Sequence, residues 1–211
     1  DGDGTVDLIM SEATTLEADG GSLTVSEDQD RLGNAYSVAT THTTADRQTV
    51  TQTNDYDADE TIDLSVVTDT DLSIDGIETQ TVTRTAADLS TIGLLTVVTS
   101  ADKRLVTTTN DVDGNGFNDI ETVFLLQGIG TQRTDTSYFS SGGALEGTYA
   151  MIVSGEGRTT TQLRDYNGDG ESDLRSVETT AIGVDGSTTG SVEHRGQHHS
   201  LKGRQDWSTS D

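Results

Sequence analysis

Short runs of β-branched and apolar residues alternate with polar turns along the chain. Between residues 62 and 110 this pattern predicts four strands, at 62–70, 78–85, 90–99 and 105–110. Turn signals such as Ile74-Asp75-Gly76 separate these runs. Threonine dominates the runs, and its branched side chain suits a pleated strand better than a helix interior. The pattern therefore predicts an all-β chain without helices.

Apolar residues occupy every second position in several runs. The clearest sets are Val6, Leu8 and Met10, then Ile62, Leu64 and Val66, then Tyr149, Met151 and Val153. Because successive side chains of a strand point to opposite faces, a period of two predicts one buried and one solvated face.

The strand pattern belongs to an internal repeat of about 56 residues. Its opening motif recurs as DGDGTVDL from Asp1, DADETIDL from Asp57, DGNGFNDI from Asp113 and NGDGESDL from Asn167. We predict four repeats, at 1–56, 57–112, 113–166 and 167–211, the last incomplete or capping. The predicted fold is a tandem series of four-stranded antiparallel meanders forming an elongated array cut from a longer one. The alternative is a four-bladed closure similar to a β-propeller.

Composition adds a strong acidic charge and a thin apolar content. Hydrophobic residues make up 30% of the chain, cysteine is absent and the net charge is -25. Nucleic acid is not expected as a partner, because phosphate contacts need clustered Lys and Arg. No apolar run is long enough for a transmembrane helix, so membrane insertion is not expected. Self-repulsion of this size favours a chain that binds or attracts cations, although salt adaptation is another explanation of an acidic surface.

Acidic residues at the start of each repeat have the spacing of a calcium loop. Calcium takes six to eight oxygen ligands, which a tight loop supplies from alternate positions, with glycine at the sharp turn. The second loop offers Asp55, Asp57, Asp59, the Thr61 carbonyl and Asp63; the third Asp111, Asp113, Asn115, the Phe117 carbonyl and Asp119; the fourth Asp165, Asn167, Asp169, the Glu171 carbonyl and Asp173. The first keeps Asp1, Asp3 and Asp7 but lacks its opening ligand.

Two observations qualify the calcium interpretation. Asp, Asn and Gly also favour hairpin turns without any ion, but recurrence at ligand spacing favours ion sites. The second loop has Glu60 where the third and fourth have glycine, which predicts a strained or different turn.

Other candidate chemistry is weaker. Ser100-Ala101-Asp102-Lys103 matches S-x-x-K but falls on a repeat turn, and we predict no enzymatic activity. His194, His198 and His199 could bind a transition metal, or form a solvated or interface cluster. Tyr138, Tyr149 and Trp207 could form a sugar platform, although scarce aromatics more often belong to a core.

Two resemblances follow from these motifs. VTSADKRLVTTTND, TTTQLRDYNGDGESDLRSVETT and VDGSTTGSV resemble Thr- and Asp-rich tandem repeats of very large type I-secreted, RTX-associated bacterial surface proteins. The loops resemble the D-x-D-x-D-G-x-x-D calcium loops of integrin-type β-propellers, the FG-GAP family. The glycine-rich nonapeptides of the RTX β-roll are missing from this sequence. The first resemblance implies secretion, calcium-dependent folding outside the cell and a stalk or adhesin role.

The sequence thus predicts a calcium-stabilised structural or adhesive repeat segment of a larger secreted or cell-surface protein. The alternative function is a propeller-like module that binds a glycan or a protein. Expected partners are calcium ions and neighbouring repeats or identical subunits, with a filament, a glycan or a surface protein as further candidates.

Overall fold

A computed structural model describes residues 9–183, 186–197 and 200–209. These residues contain fifteen strands: β1 Ile9–Leu16, β2 Ser22–Gln29, β3 Ala35–Thr43, β4 Thr49–Asp55, β5 Leu64–Leu72, β6 Glu78–Ala86, β7 Thr91–Thr99, β8 Leu105–Asp111, β9 Ile120–Leu126, β10 Gln132–Phe139, β11 Leu145–Val153, β12 Thr159–Asp165, β13 Leu174–Ile182, β14 Thr188–Gly196 and β15 Leu201–Thr209. The predicted all-β class is confirmed. The four strands predicted between residues 62 and 110 correspond to β5–β8, with ends displaced by two residues or fewer.

The described residues form two compact units. One consists of residues 9–96 and 111–116, and the other of residues 97–110 and 117–209. In the first unit, β1 to β6 pair in chain order, each antiparallel to the next. In the second, β8 to β15 do the same. Each unit is therefore an open antiparallel meander.

The strands on either side of an acidic loop pair directly with each other. β4 pairs with β5 across the second loop, where Asn54 lies opposite Leu64. β12 pairs with β13 across the fourth loop, where Arg164 lies opposite Leu174. Blades of a propeller are separate sheets, so strands of successive repeats would not pair in this way. The propeller-like alternative is therefore wrong, and the acidic loops are hairpin connections inside an open sheet.

Neither face of the sheet is buried within a unit. Among the described residues, Ala150 is the single buried hydrophobic side chain, at 8% exposure. Met10 is 76% exposed and Ile62 is 48% exposed, whereas Leu64, Val66, Tyr149, Met151 and Val153 are half-buried. The prediction of one buried face is wrong for these residues, because no second layer of described residues covers either side of the sheet. Val6 and Leu8 lie outside the described residues.

Threonine hydroxyls pair across neighbouring strands of the sheet. The hydroxyls of Thr14 and Thr24 lie 2.9 Å apart on β1 and β2. Those of Thr122 and Thr136 lie 3.3 Å apart on β9 and β10. Such pairs each contribute a fraction of a kcal/mol, so the sheet depends on many of them and on its turns. The described residues contain no helix with the length and apolar character needed to cross a membrane.

Candidate metal centres in the acidic loops

The second loop brings three predicted ligands together. β4 ends at Asp55, β5 begins at Leu64, and the amide of Asp63 donates to the carbonyl of Asn54 at 2.9 Å. One carboxylate oxygen from each of Asp55, Asp57 and Asp63 lies within 4.8 Å of the other two. Calcium–oxygen distances are about 2.3–2.6 Å, so two oxygens on one calcium ion lie at most about 5 Å apart. The separation of the three carboxylates is therefore compatible with one shared calcium ion.

The opening aspartate of the third loop organises the turn that follows it. Asp111 is only 4% exposed. Its Oδ1 accepts the amide of Gly114 at 2.7 Å and its Oδ2 accepts the amide of Gly116 at 2.8 Å. A carboxylate oxygen can accept more than one bond, so these contacts leave lone pairs for a cation. Asp111 thus serves as the internal anchor of its loop, and one of its oxygens lies within 4.8 Å of a carboxylate oxygen of Asp113.

The fourth loop repeats this arrangement with different residues. Asp165 is 5% exposed, and its two oxygens accept the amides of Gly168 at 2.7 Å and Gly170 at 2.8 Å. In the second loop, Asp55 instead accepts the amides of Asp59 at 3.2 Å and Glu60 at 2.9 Å. The common feature is an aspartate at the end of a strand that holds the amides of the next turn.

The left-handed turn survives in the second loop without its glycines. Gly114 and Gly116 have φ of 72° and 89°, and their counterparts Ala58 and Glu60 have φ of 56° and 73°. A residue with a Cβ is strained at such angles, by about 1–2 kcal/mol. Glu60 therefore has the strained backbone angle that was predicted for it, while the turn has the same left-handed form as in the third loop. Ala58 is a second strained position that the sequence comparison had not identified, although its alignment with Gly114 marks it.

Electrostatics differ between the second and fourth loops. The pKa of Asp57 is raised mainly by the charge of Asp59, then by burial, with further contributions from Asp63 and Asp55. Burial also acts to raise the pKa of Asp165, but hydrogen bonds from the amides of Gly170 and its neighbours outweigh it and lower that pKa. The second loop therefore holds carboxylates that repel each other, while the fourth holds an anchored anion.

The last aspartate of each loop closes the hairpin. Oδ2 of Asp63 accepts the amide of Tyr56, and Oδ2 of Asp173 accepts the amide of Tyr166, both at 2.7 Å. Oδ1 of Asp173 also accepts Nε2 of Gln197 at 2.7 Å. Asp119 lies in the second unit, where its amide donates to the Asn110 carbonyl at 2.8 Å.

The middle positions turn their oxygens towards their own loops. Asp59 is not part of the group formed by Asp55, Asp57 and Asp63; its Oδ1 accepts the Thr61 amide at 2.8 Å. Oδ1 of Asp169 accepts the Glu171 amide at 2.8 Å, and its Oδ2 accepts Nδ2 of Asn167 at 3.0 Å.

The remaining predicted ligands are Asn115, three backbone carbonyls and the aspartates of the first loop. The Asn115 amide group donates to Oδ2 of Asp113 at 3.0 Å. The carbonyls of Thr61, Phe117 and Glu171 stay predicted ligands, and Asp1, Asp3 and Asp7 of the first loop lie outside the described residues.

The S-x-x-K match forms a repeat turn. The Ser100 hydroxyl donates to Asp102 at 2.7 Å, as the Thr44 hydroxyl does to Asp46 at the matching turn of the preceding repeat. Lys103 and Arg47 both adopt left-handed backbone angles, with φ of 58° and 61°. This shared geometry accounts for the four residues as a turn. His194 lies on β14, whereas His198 and His199 lie outside the described residues.

The three aromatics of the predicted sugar platform do not form one surface. Tyr138 and Tyr149 line one cavity, together with Tyr166. Trp207 lines a different cavity with Arg204 and Asp206. The indole of Trp207 also covers Gly190, where a Cβ would meet the ring.

Comparison with known proteins gives no family. No protein-family model matches the chain, and no curated protein matches it.

Proposed function

We propose that this chain is a calcium-stabilised structural or adhesive repeat segment of a larger secreted or cell-surface protein. The group formed by Asp55, Asp57 and Asp63 is the single observation that supports the proposal most directly. Three carboxylates at this separation in a short hairpin match the oxygen ligands that calcium prefers. Magnesium fits less well, because it requires strict octahedral geometry and retains its water ligands.

Calcium would act by linking binding to folding. In the ion-free second loop, the charge of Asp59 and its neighbours opposes ionisation of Asp57. A divalent cation would reverse this repulsion and hold together the two strands that the loop joins. An ion that binds only the folded chain stabilises it by about 2.7 kcal/mol per site at a hundredfold excess over Kd. Two or three such sites would be comparable with the whole stability of an ordinary domain.

The structural role draws support from the sheet. An open antiparallel meander with one buried hydrophobic side chain among its described residues has little core of its own. A chain of this kind would remain loosely folded where calcium is scarce and become ordered where it is abundant. We propose an extracellular location on this ground, with neighbouring repeats or identical subunits as partners and no enzymatic activity.

Calcium titration followed by calorimetry tests the proposal. Chelator-treated protein should bind about two or three calcium ions, with magnesium in excess as the competitor. The variant Asp57→Asn with Asp63→Asn should lose one of these sites, because it removes two of the three grouped carboxylates. The matched control is Asp71→Asn with Asp75→Asn, which removes the same charge from β5 and its following turn.

Loss of a site in the loop variant alone supports the proposal. An absence of calcium heat in the unmodified chain would overturn it. So would equal weakening in both variants, since that would mean a diffuse attraction to negative charge.

A further inference from the structure

A cavity between β10, β11 and β12 collects three of the chain's five tyrosines. We propose that this tyrosine cavity, walled by Tyr138, Tyr149 and Tyr166, binds a sugar ring of a neutral glycan. The cavity has a volume of about 420 Å³, within the range of small-ligand sites. The proposal concerns a different site from the metal centres and does not depend on them.

Strand register places Tyr138, Tyr149 and Arg164 on one face of the sheet. Tyr138 lies opposite Gly147, and Tyr149 lies opposite Arg164. Tyr149 is two residues beyond Gly147 on β11, so Tyr138, Tyr149 and Arg164 share that face. Tyr166 directly follows the end of β12 and lines the same cavity. Gly147 is buried because the backbone that leads to Tyr166 packs against it: a Cβ there would lie 2.7 Å from the Asp165 carbonyl oxygen. Glycine at this position therefore lets the backbone of residues 165 and 166 approach β11, next to the cavity that the tyrosines line.

Polar groups with unused bonding capacity accompany the rings. The Arg164 guanidinium lies over the Tyr149 ring, 5.3 Å from its centre. Arg164 is exposed and forms no side-chain hydrogen bond or ion pair with another described residue. Glu146, also exposed, lines the same cavity. The cavity thus presents a cationic donor, an anionic acceptor and aromatic walls to solvent.

The chain's own repeats show that the fold does not require these tyrosines. In the preceding repeat the same positions hold Arg84, Leu95 and Val112, with Asn110 in place of Arg164. Gly93 replaces Gly147 there, and a Cβ on it would meet the backbone of residues 111 and 112, as one on Gly147 would meet that of 165 and 166. The backbone arrangement is therefore retained while the aromatic groups are not. Three tyrosines and an arginine at one repeat indicate a local role.

A neutral sugar ring fits this chemistry better than an ion does. The C–H face of a pyranose packs on the face of an aromatic ring, which carries partial negative charge. Sugar hydroxyls both donate and accept, so they can bond to Glu146 and Arg164 together. A cation would compete with Arg164, which already covers Tyr149. A polyanion would meet Glu146 and a chain of net charge -25.

Affinity electrophoresis with soluble polysaccharides tests the inference. Native gels containing calcium would carry a β-glucan, an α-glucan, a galactomannan or, as an anionic comparison, hyaluronan. Tyr149→Leu with Tyr166→Val introduces the side chains of the preceding repeat, and Arg164→Asn does the same for the guanidinium. Tyr56→Val is the matched control, because Tyr56 occupies the place of Tyr166 in the second loop. Circular dichroism would check that each variant is folded.

We expect at least one neutral polysaccharide to retard the unmodified chain. Tyr149→Leu with Tyr166→Val should raise the dissociation constant by at least about tenfold. Arg164→Asn should raise it less, and Tyr56→Val should leave it unchanged. Four results would overturn the proposal: no retardation by any neutral polysaccharide, equal retardation by hyaluronan, unchanged binding in the double tyrosine variant, or equal loss in Tyr56→Val.

Discussion

The Asp57 carboxylate should lower the stability of the folded chain in chelator and raise it in calcium. Its pKa is raised, chiefly by the charge of Asp59, so ionised Asp57 is less favourable in the folded chain than in the unfolded chain and lowers stability near neutral pH. Asp57→Asn should therefore raise the melting temperature in chelator. In saturating calcium the same change should lower it, because a ligand is lost. Differential scanning calorimetry in the two buffers measures both effects.

Asp71→Asn is the control for this reversal, since it removes the same charge from an exposed position on β5. It should change the melting temperature in one direction only, through net charge. A calcium interpretation of the second loop fails if Asp57→Asn shifts the melting temperature in the same direction in both buffers.

Glu60 occupies a backbone conformation that glycine adopts in the other two loops. At φ of 73° its Cβ is strained, and Glu60→Gly should raise the free energy of unfolding by about 1 kcal/mol. Thr61→Gly is the comparison, because Thr61 is not among the residues with positive φ. It should instead destabilise by about 0.5–1 kcal/mol through lost chain restriction. Urea denaturation in chelator distinguishes them, and a Glu60→Gly variant no more stable than the parent would contradict the strain.

Asp165 should make the fourth loop sensitive to acid. Its folded pKa is lowered below the ordinary value, so its contribution is present above the unfolded pKa and is lost as pH falls through the folded pKa. The pKa shift of Asp57 has the opposite sign, so its protonation at low pH favours folding by relieving the repulsion from Asp59. Asp165→Asn supplies one acceptor oxygen where the amides of Asn167, Gly168 and Gly170 need partners, so it should lower the melting temperature at pH 7 and reduce the further loss below about pH 4. A melting curve with unchanged acid dependence would contradict this role.

The hairpin loops rest against the start of a neighbouring strand. In the fourth loop, Gly168 and Gly170 both have left-handed angles, with φ of 71° and 86°. A Cβ on Gly168 would lie 2.8 Å from the Leu145 carbonyl at the start of β11, while one on Gly170 would meet open space. A side chain at Gly170 would therefore meet only backbone strain, whereas one at Gly168 would also clash with β11.

Gly170→Ala should destabilise by about 1–2 kcal/mol through its backbone angle alone. Gly168→Ala should cost about 1–3 kcal/mol more, because the Leu145 carbonyl must move. Chemical denaturation of the two variants, each compared with the parent, measures this difference. Equal losses would mean that the loop does not rest on β11.

Sequence patterns predict the elements well and their surroundings poorly. Threonine-rich runs and Asp-Gly turns locate β5 to β8 to within two residues, since strand and turn propensities act locally. The ligand spacing predicts Asp55, Asp57 and Asp63 as neighbours, and one carboxylate oxygen from each lies within 4.8 Å of the other two. It does not reveal that Asp59 turns towards the Thr61 amide, since that choice depends on local hydrogen bonds.

The sequence pattern predicts a buried face that neither unit has. Alternation such as Tyr149, Met151 and Val153 normally signals one face packed on a core, yet these side chains are half-buried and no second layer of described residues covers them. Alternation reports which residues share a face, and it cannot report whether another layer covers that face. The hydrophobic content of 30% was the better guide, because it is too low for an ordinary two-layer core.

Thermal unfolding with and without calcium is the most direct test of calcium-stabilised folding. The chain would be followed by far-ultraviolet circular dichroism in excess calcium, in chelator, and in magnesium at high ionic strength. We predict a calcium-specific rise in melting temperature of about 5–10 °C for each occupied site at a hundredfold excess over Kd. Equal melting in the three buffers would contradict the account and leave the acidic loops as turns between strands.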